Sequence, residues 1–374
     1  MRIYHVITSL DLGGAEITLK KLLLNNKYRV NAKVIVLNEI GVVGEELIKS
    51  GVEVISLPVN NLFRLPIVLY KLSKFFREED PDIVHTWLYH ADLIGGIAAR
   101  MAGIKNVIWS IRTTRLKKGS YATAVVRFFL SGLSYVIPKR IVCVAEASLE
   151  FHRQLGYSRS KFVVIGNGFA IPPNVVDFED RKKFLTELNI KPGEKVIGSV
   201  GRFSSDKGQD LFVKAAGLLL ERYSNLKFIM VGRGNDTGNI ELVQLIESTG
   251  FPSNFILLGE QSNVGRHYAL MDVFCLHSRT EGFPNVLGEA MMHQIPCVAT
   301  RAGDAERILG STGIVVDGFE PESIAKALST MLDYSHEKRI ELGCMARARM
   351  INEYSFDSVV VKYMNLYKSL VSDS

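Results

Sequence analysis

Short apolar runs alternate with segments of helical periodicity from one end of this chain to the other, and no other feature narrows the fold as much. Strands spaced by helices in this way run parallel and are covered on both faces, so the class is α/β. Strand candidates in the first half are 1–7, 33–37, 52–57, 83–86, 107–111, 140–144 and 162–165, with helical segments at 15–24, 65–76, 91–101 and 149–155. A second series follows at 196–200, 228–231, 255–258, 273–276, 296–299 and 313–316. With 374 residues, the chain is too long for one ordinary core and suits two.

Between the two series lies Gly166-Asn167-Gly168-Phe169-Ala170-Ile171-Pro172-Pro173, whose prolines cannot join a sheet interior. The hinge is placed there. Two doubly wound domains with a cleft between them are expected, over 1–170 and 171–354. The last segment, 355–374, carries a helix at 356–371 that follows the second sheet and is read as crossing back to the first domain.

Polar residues follow the first apolar run at once, where a secretory signal would continue apolar, so a cytoplasmic setting is expected. The apolar stretch 121–138 carries Arg127 at its middle and falls short of the roughly 20 residues a spanning helix needs. Cys143, Cys275, Cys297 and Cys344 form no CxxC pair, and three of them sit in apolar runs as buried thiols would.

Charge is divided unequally. Residues 1–170 carry 23 Lys and Arg against 13 Asp and Glu, whereas 171–374 carry 22 against 26. The segment 93–145 has no acidic residue but nine basic ones: Arg100, Lys105, Arg112, Arg115, Lys117, Lys118, Arg127, Lys139 and Arg140. Cations beside apolar surface suit an anionic membrane face, each contributing on the order of 1 kcal/mol. A solvated basic face over a core helix is the competing reading. Nucleic acid is not expected, because no helix-turn-helix spacing or aromatic-interleaved basic motif occurs.

Ligands of open parallel sheets sit beyond the carboxyl ends of the strands, which directs attention to the strand-to-helix loops. The densest is Glu281-Gly282-Phe283-Pro284-Asn285-Val286-Leu287-Gly288-Glu289-Ala290, after strand 273–276. Proline suits the first turn of a helix. Free N–H groups near 285–287, helped by the helix dipole, would make a site that a phosphate fits. Glu281 and Glu289 would repel that anion, so their use is accepting hydrogen bonds from sugar or ribose hydroxyls. A sugar nucleotide offers both kinds of group.

A second loop, Gly201-Arg202-Phe203-Ser204-Ser205-Asp206-Lys207-Gly208, puts two cations beside a helix start, where they can neutralise a diphosphate. A third, Asp11-Leu12-Gly13-Gly14-Ala15-Glu16, has paired glycines that let backbone approach a ligand. Val231-Gly232-Arg233-Gly234 lacks the GxGxxG dinucleotide fingerprint. His85 and His90 follow strand 83–86 and are read either as cleft residues or as packed structural histidines. His152, His277 and His293 have no metal-ligand spacing and are assigned no chemistry.

The spacing of Glu281 and Glu289 around Gly-Phe-Pro-Asn, with Gly-Arg-x4-Lys-Gly upstream and Gly-Gly-Ala-Glu near the start, resembles glycosyltransferase family 4 over essentially the whole chain. The resemblance implies a GT-B fold of two Rossmann-like domains, the first binding acceptor and the second the donor. It also implies retaining glycosyl transfer with no metal and no cofactor, the nucleotide-sugar being a substrate. Carried over by position, Arg202 and Lys207 bind the diphosphate, and Glu281, Gly282 and the backbone of Phe283, Pro284, Asn285 and Val286 hold the donor sugar and phosphates. Glu289 takes the ribose, and Gly13 and Gly14 close the site from the opposite domain. Many relatives carry a histidine after the strand equivalent to 107–111, where this chain has Ser110-Ile111-Arg112-Thr113-Thr114. Arg112 stands in a similar place and is a candidate to hold a phosphate of donor or acceptor.

The expected chemistry is transfer of a hexosyl or N-acetylhexosaminyl group from a nucleotide-diphosphate donor, with a UDP-sugar the expected one, to a lipid-linked or envelope glycan. The expected place is the inner face of the cell membrane, in capsule, lipopolysaccharide or related assembly. Arg202, Lys207 and Glu281 are the catalytic candidates. Three rivals stand beside this reading. An epimerase of similar shape needs acid/base groups that cannot be placed; a dinucleotide oxidoreductase needs the missing fingerprint; a non-catalytic sugar-nucleotide binder needs none of the chemistry.

Overall fold

A computed structural model describes residues 1–28, 30–59, 64–112, 121–172 and 178–372, and all of their side chains except those of 178–180. Pro173 of the hinge and Arg115, Lys117 and Lys118 of the basic set lie outside the described residues, as do Thr113 and Thr114. The chain forms two compact units, Met1–Gly168 together with Phe356–Ser374, and Phe169–Ser355. Each is α/β with a single parallel sheet, the Rossmann-like pattern of the GT-B class.

The first unit holds β1 (Arg2–Ile7), β2 (Asn31–Val36), β3 (Glu53–Ser56), β4 (Ile83–Trp87), β5 (Val107–Ile111), β6 (Arg140–Cys143) and β7 (Phe162–Val164), in the order β3-β2-β1-β4-β5-β6-β7. Strands β4 and β5 are buried along their whole length, which is why they read as near-continuous apolar runs. Leu72, Phe76, Ala98 and Leu130 belong to one core cluster of this unit. A second cluster is completed by the terminal helix Phe356–Ser372, whose Val359, Val360, Tyr363, Leu366, Tyr367 and Leu370 join Ile3, Ile7, Val34 and Val36. Three- and four-residue spacing puts those six on one helical face.

The second unit holds β8 (Lys195–Val200), β9 (Leu226–Val231), β10 (Phe255–Gly259), β11 (Val273–Leu276), β12 (Cys297–Thr300) and β13 (Ile314–Val316), in the order β10-β9-β8-β11-β12-β13. The segments at which the chain enters and leaves this unit lie side by side. Phe169 donates its N–H to the Tyr354 carbonyl at 2.8 Å and bridges to Ser355.

Strand order reverses between β1 and β4 in the first sheet and between β8 and β11 in the second. Loops splay apart at such a reversal and leave room for a ligand. The helix read at 91–101 begins earlier, at Tyr89, after Leu88 turns the chain at φ 73°. No helix among the described residues is long and apolar enough to cross a membrane.

Candidate functional site

The loops after β8 and β11 both emerge at the switch point of the second sheet, and they are fastened to each other at several places. Lys207 Nζ donates to Glu281 Oε1 at 2.6 Å, and the Ser278 hydroxyl donates to the same oxygen at 2.7 Å. The Arg279 guanidinium forks onto Asp210 at 2.7 and 2.5 Å, and its backbone N–H donates to the Asp206 carbonyl at 2.8 Å. That bidentate pair holds the Asp210 carboxyl below the usual carboxylate range. Arg202 is exposed and makes no ion pair among the described residues, which leaves a cation available beside Lys207.

The helix Asn285–Met292 opens from this loop, with Pro284 at its N-cap rather than inside the first turn as expected. No side chain caps it. The N–H groups of Gly282, Phe283 and Val286 have no acceptor among the described residues. Unsatisfied donors at a helix start, a buried carboxylate and two cations form a surface suited to a phosphate or diphosphate. Close packing shapes the turn from below: Gly303 has φ 56°, and a Cβ there would lie 2.5 Å from the Gly282 carbonyl. Phe283 is half-buried and stacks on Phe169 with ring planes 29° apart and centroids separated by 6.1 Å. Glu289 accepts from the buried Tyr268 hydroxyl at 2.8 Å, so one of its oxygens is held in place.

In the first unit, Gly13 caps the helix Gly14–Leu23 in extended conformation, and a Cβ on it would fall 2.3 Å from Glu16 Oε2. Glu16 therefore lies back over Gly13, and burial pushes its carboxyl above the usual range. Among the described residues, nothing lies within 4 Å of the position a Gly14 Cβ would take. Arg112 is half-buried and donates to Asn167 Oδ1, to Thr18 Oγ1 at 3.2 Å and to the Tyr363 hydroxyl at 3.4 Å. All three acceptors are neutral, and no carboxylate pairs with Arg112 among the described residues.

His85 corrects one expectation. It is fully buried, its Nδ1 pairing with the Tyr367 hydroxyl at 2.8 Å and its Nε2 with Ser110 Oγ at 3.0 Å, so it is a packed histidine and no ligand contact. Its β1 register partner His5 is likewise buried, accepting from Trp87 Nε1 at 3.1 Å and therefore donating from Nε2 to the Tyr28 hydroxyl at 2.8 Å. Desolvation lowers both, His5 to about 3. His90 behaves differently: it is half-buried, directly beyond the strained Leu88, with no hydrogen-bond partner among the described residues.

Sequence reasoning missed His277. Buried immediately after β11, it donates from Nδ1 to the Lys207 carbonyl at 2.7 Å and accepts from Ser199 at 2.5 Å, with its ring stacked on Phe212. It thereby fixes the backbone that carries Lys207. Its position at a strand end beside the Glu281 loop was the available signal; ligand spacing was the wrong test. Gly208 meets the same carbonyl layer, at φ 71° with a Cβ position 2.4 Å from the His277 oxygen. Gly208→Ala is expected to destabilise the unit by about 1–2 kcal/mol through the left-handed backbone alone, more once that carbonyl is displaced. Denaturant unfolding checks this, and a loss under about 0.5 kcal/mol, the level of an ordinary surface change, would contradict it.

Among the described residues no three His, Cys, Asp or Glu side chains gather where they could hold a metal. The Glycosyltransferase Family 4 model matches residues 12–171, and the Glycosyl transferases group 1 model matches residues 194–334. The chain is 26% identical over 320 residues to the capsular polysaccharide biosynthesis glycosyltransferase CapM of Staphylococcus aureus, covering 82% of this chain and 81% of that protein. It is 24% identical over 314 residues to the UDP-Gal:alpha-D-GlcNAc-diphosphoundecaprenol alpha-1,3-galactosyltransferase of Escherichia coli, covering 81% and 79%. Among solved structures, Anabaena Alr3699/HepE in complex with UDP superposes with a TM-score of 0.82 at 22% identity, covering 99% of this chain and all of that one.

Proposed function

Because the chain belongs to glycosyltransferase family 4, we propose that it transfers a hexosyl or N-acetylhexosaminyl group from a UDP-sugar to a lipid-linked glycan, with retention and without a metal. The observation that carries this reading is the Lys207–Glu281 pair beside the open N–H groups of Gly282, Phe283 and Val286. As the bond from the anomeric carbon to the diphosphate breaks, negative charge grows on the diphosphate. Lys207, Arg202 and those N–H groups are donors for that charge, held before the reaction begins. They do the work that a divalent cation does elsewhere.

Glu281 and Glu289 accept hydrogen bonds from sugar and ribose hydroxyls in this reading. Tyr268 keeps one oxygen of Glu289 occupied so that the other is oriented. Gly13 and Gly14 supply close-approach backbone, and Arg112 or His90 contacts the sugar or acceptor. The acceptor hydroxyl attacks on the face the diphosphate leaves, and the departing phosphate takes its proton, which preserves configuration. The UDP bound by the Anabaena neighbour supports the choice of nucleotide. The diphosphoundecaprenol-linked acceptor of the E. coli relative supports a lipid-linked acceptor, and the S. aureus relative supports an envelope polysaccharide. Such an acceptor supports a setting at the inner face of a membrane with an anionic surface.

Thermal melting with nucleoside diphosphates tests the donor half. UDP at 100 times its dissociation constant is expected to add about 2.7 kcal/mol of stability, visible as a rise of several degrees, with UDP-sugars acting likewise. No shift with any nucleoside diphosphate would remove the donor assignment. An assay with donor and lipid-linked acceptor together then separates transfer from binding alone.

A further inference from the structure

The helix Tyr121–Leu133 turns an apolar face to the outside. Its exposed positions recur with helical spacing and continue past its end. Among them are Tyr121, Val125, Phe128, Phe129, Tyr135 and Val136, with Phe128 75% exposed, and none of the exposed positions is charged. Leu130 faces inward instead, into the core. A helix of a monomeric soluble protein carries the opposite pattern, polar outside, and a contiguous exposed apolar patch marks a contact surface.

Residues 136–138, which overlap the end of the stripe at Val136, form one wall of an open pocket of about 430 Å³. Five cations line the rest: Arg100, Lys105, Lys139, Arg140 and Lys161. No carboxylate lines it, and none of the five forms an ion pair among the described residues. Lys161 donates to the Ser134 and Tyr135 carbonyls at 3.0 and 2.6 Å, which ties the pocket to the end of the stripe. Burial and the charges of Arg100 and Arg140 lower its pKa, as expected of cations crowded together without an anion. Lys105 precedes β5, Arg140 begins β6 and Lys161 precedes β7, so the pocket lies at the amino edge of the sheet. The candidate site residues are at the carboxyl edge, so the donor and acceptor machinery does not account for this pocket.

We propose that the pocket binds the phosphate of an anionic phospholipid headgroup while the adjoining stripe beds into the boundary between headgroups and acyl chains. Charge selects the occupant: a second copy of the chain would bring the same five cations, whereas a bilayer brings phosphates and apolar chains side by side in the geometry the surface offers. This deepens the membrane part of the proposed function, and it does not depend on which sugar is moved or on whether transfer occurs.

The test is flotation of the full chain with vesicles, alongside sedimentation of the protein alone. Binding is expected to vesicles of phosphatidylcholine with about one third phosphatidylglycerol, with little to phosphatidylcholine alone, and to fall as salt rises. Arg100→Glu with Lys105→Glu, both exposed and with side chains outside any hydrogen bond among the described residues, is expected to weaken binding at least tenfold, as is Phe128→Ser with Phe129→Ser. Melting temperature checks that both variants fold. Undiminished binding by the Glu variant would overturn the pocket as the headgroup site. A sedimenting dimer that the Phe variant converts to monomer would overturn the bilayer as occupant. sn-Glycerol 3-phosphate binding as tightly as vesicles would assign the pocket to a free phosphate ester. Glycosyl transfer to a soluble acceptor without vesicles separates the two readings: vesicle binding without transfer sinks the transferase mechanism alone, and transfer without vesicle binding sinks this site alone.

Discussion

Lys207→Ala is expected to lower kcat/KM by about a hundred- to a thousandfold, the range seen when one preorganised donor is removed from a site of developing negative charge. Lys207→Glu is expected to abolish turnover. It places a second carboxylate where Lys207 now meets Glu281 at 2.6 Å, so the site would repel both its own loop and the diphosphate. Fold stability is expected to respond far less to the alanine change. Lys207 is partly exposed, so water takes up part of its role beside the buried Glu281 carboxylate, which also keeps the Ser278 hydroxyl; the loss is expected at about 1–2 kcal/mol. The His277 anchor acts on the Lys207 carbonyl, which the substitution leaves in place. Steady-state kinetics with donor and acceptor, set beside melting temperature, give the contrast. Activity within tenfold of the parent for Lys207→Ala would show that the leaving group is stabilised elsewhere.

Acid is expected to unfold the first unit through its histidines. His5, His85 and His152 are buried there, all lowered first of all by desolvation, His5 to about 3 and His152 to about 4. The unfolded chain titrates near 6.5, so below that pH it binds protons that the folded unit refuses, and stability falls as pH drops through 6.5 toward 4. At pH 5 His5 and His152 are each worth about 2 kcal/mol, and His85 acts in the same direction. Asp92 acts in the opposite sense: burial raises its carboxyl well above the usual range, its Oδ2 has no hydrogen-bond partner among the described residues, and ionisation in the unfolded chain opposes folding as pH rises. On moving from pH 7 to 5 that penalty eases, which offsets part of the histidine loss and leaves the unit less stable at pH 5. His277, lowered to about 4, acts on the second unit by itself. Denaturant titrations at pH 7 and 5 measure the difference. Equal stability at the two pH values would mean that the buried histidines are hydrated in solution.

The strands were legible because the sheets are covered on both faces, which writes them as apolar runs; β8 and β11 emerge within a residue of where those runs lie. The helix Phe356–Ser372 was legible from its periodicity and its place after the second sheet. Side-chain roles inside the sheet were not. Nothing near His85 in the sequence announces Tyr367, which lies 282 residues away and satisfies its Nδ1. Tyr268 and Glu289 sit 21 residues apart and His277 and Ser199 78 apart, pairings that only the folded sheet creates. The exposed stripe on Tyr121–Leu133 misleads for another reason: apolar composition states affinity for something nonaqueous without stating whether that is the protein's own interior.

The discontinuity of the first unit has a consequence for synthesis. Val359 to Leu370, made after the whole second unit, seal a face built from residues made before it, Ile3 and Ile7 among them. On the ribosome, the later-translated globule has all its strands in hand while the earlier one still waits for its closing helix. The nascent amino-terminal sheet therefore keeps an uncovered apolar face until the second unit has been made, and a ribosome that stalls shortly before residue 356 would release a chain with one finished globule and one bare apolar surface.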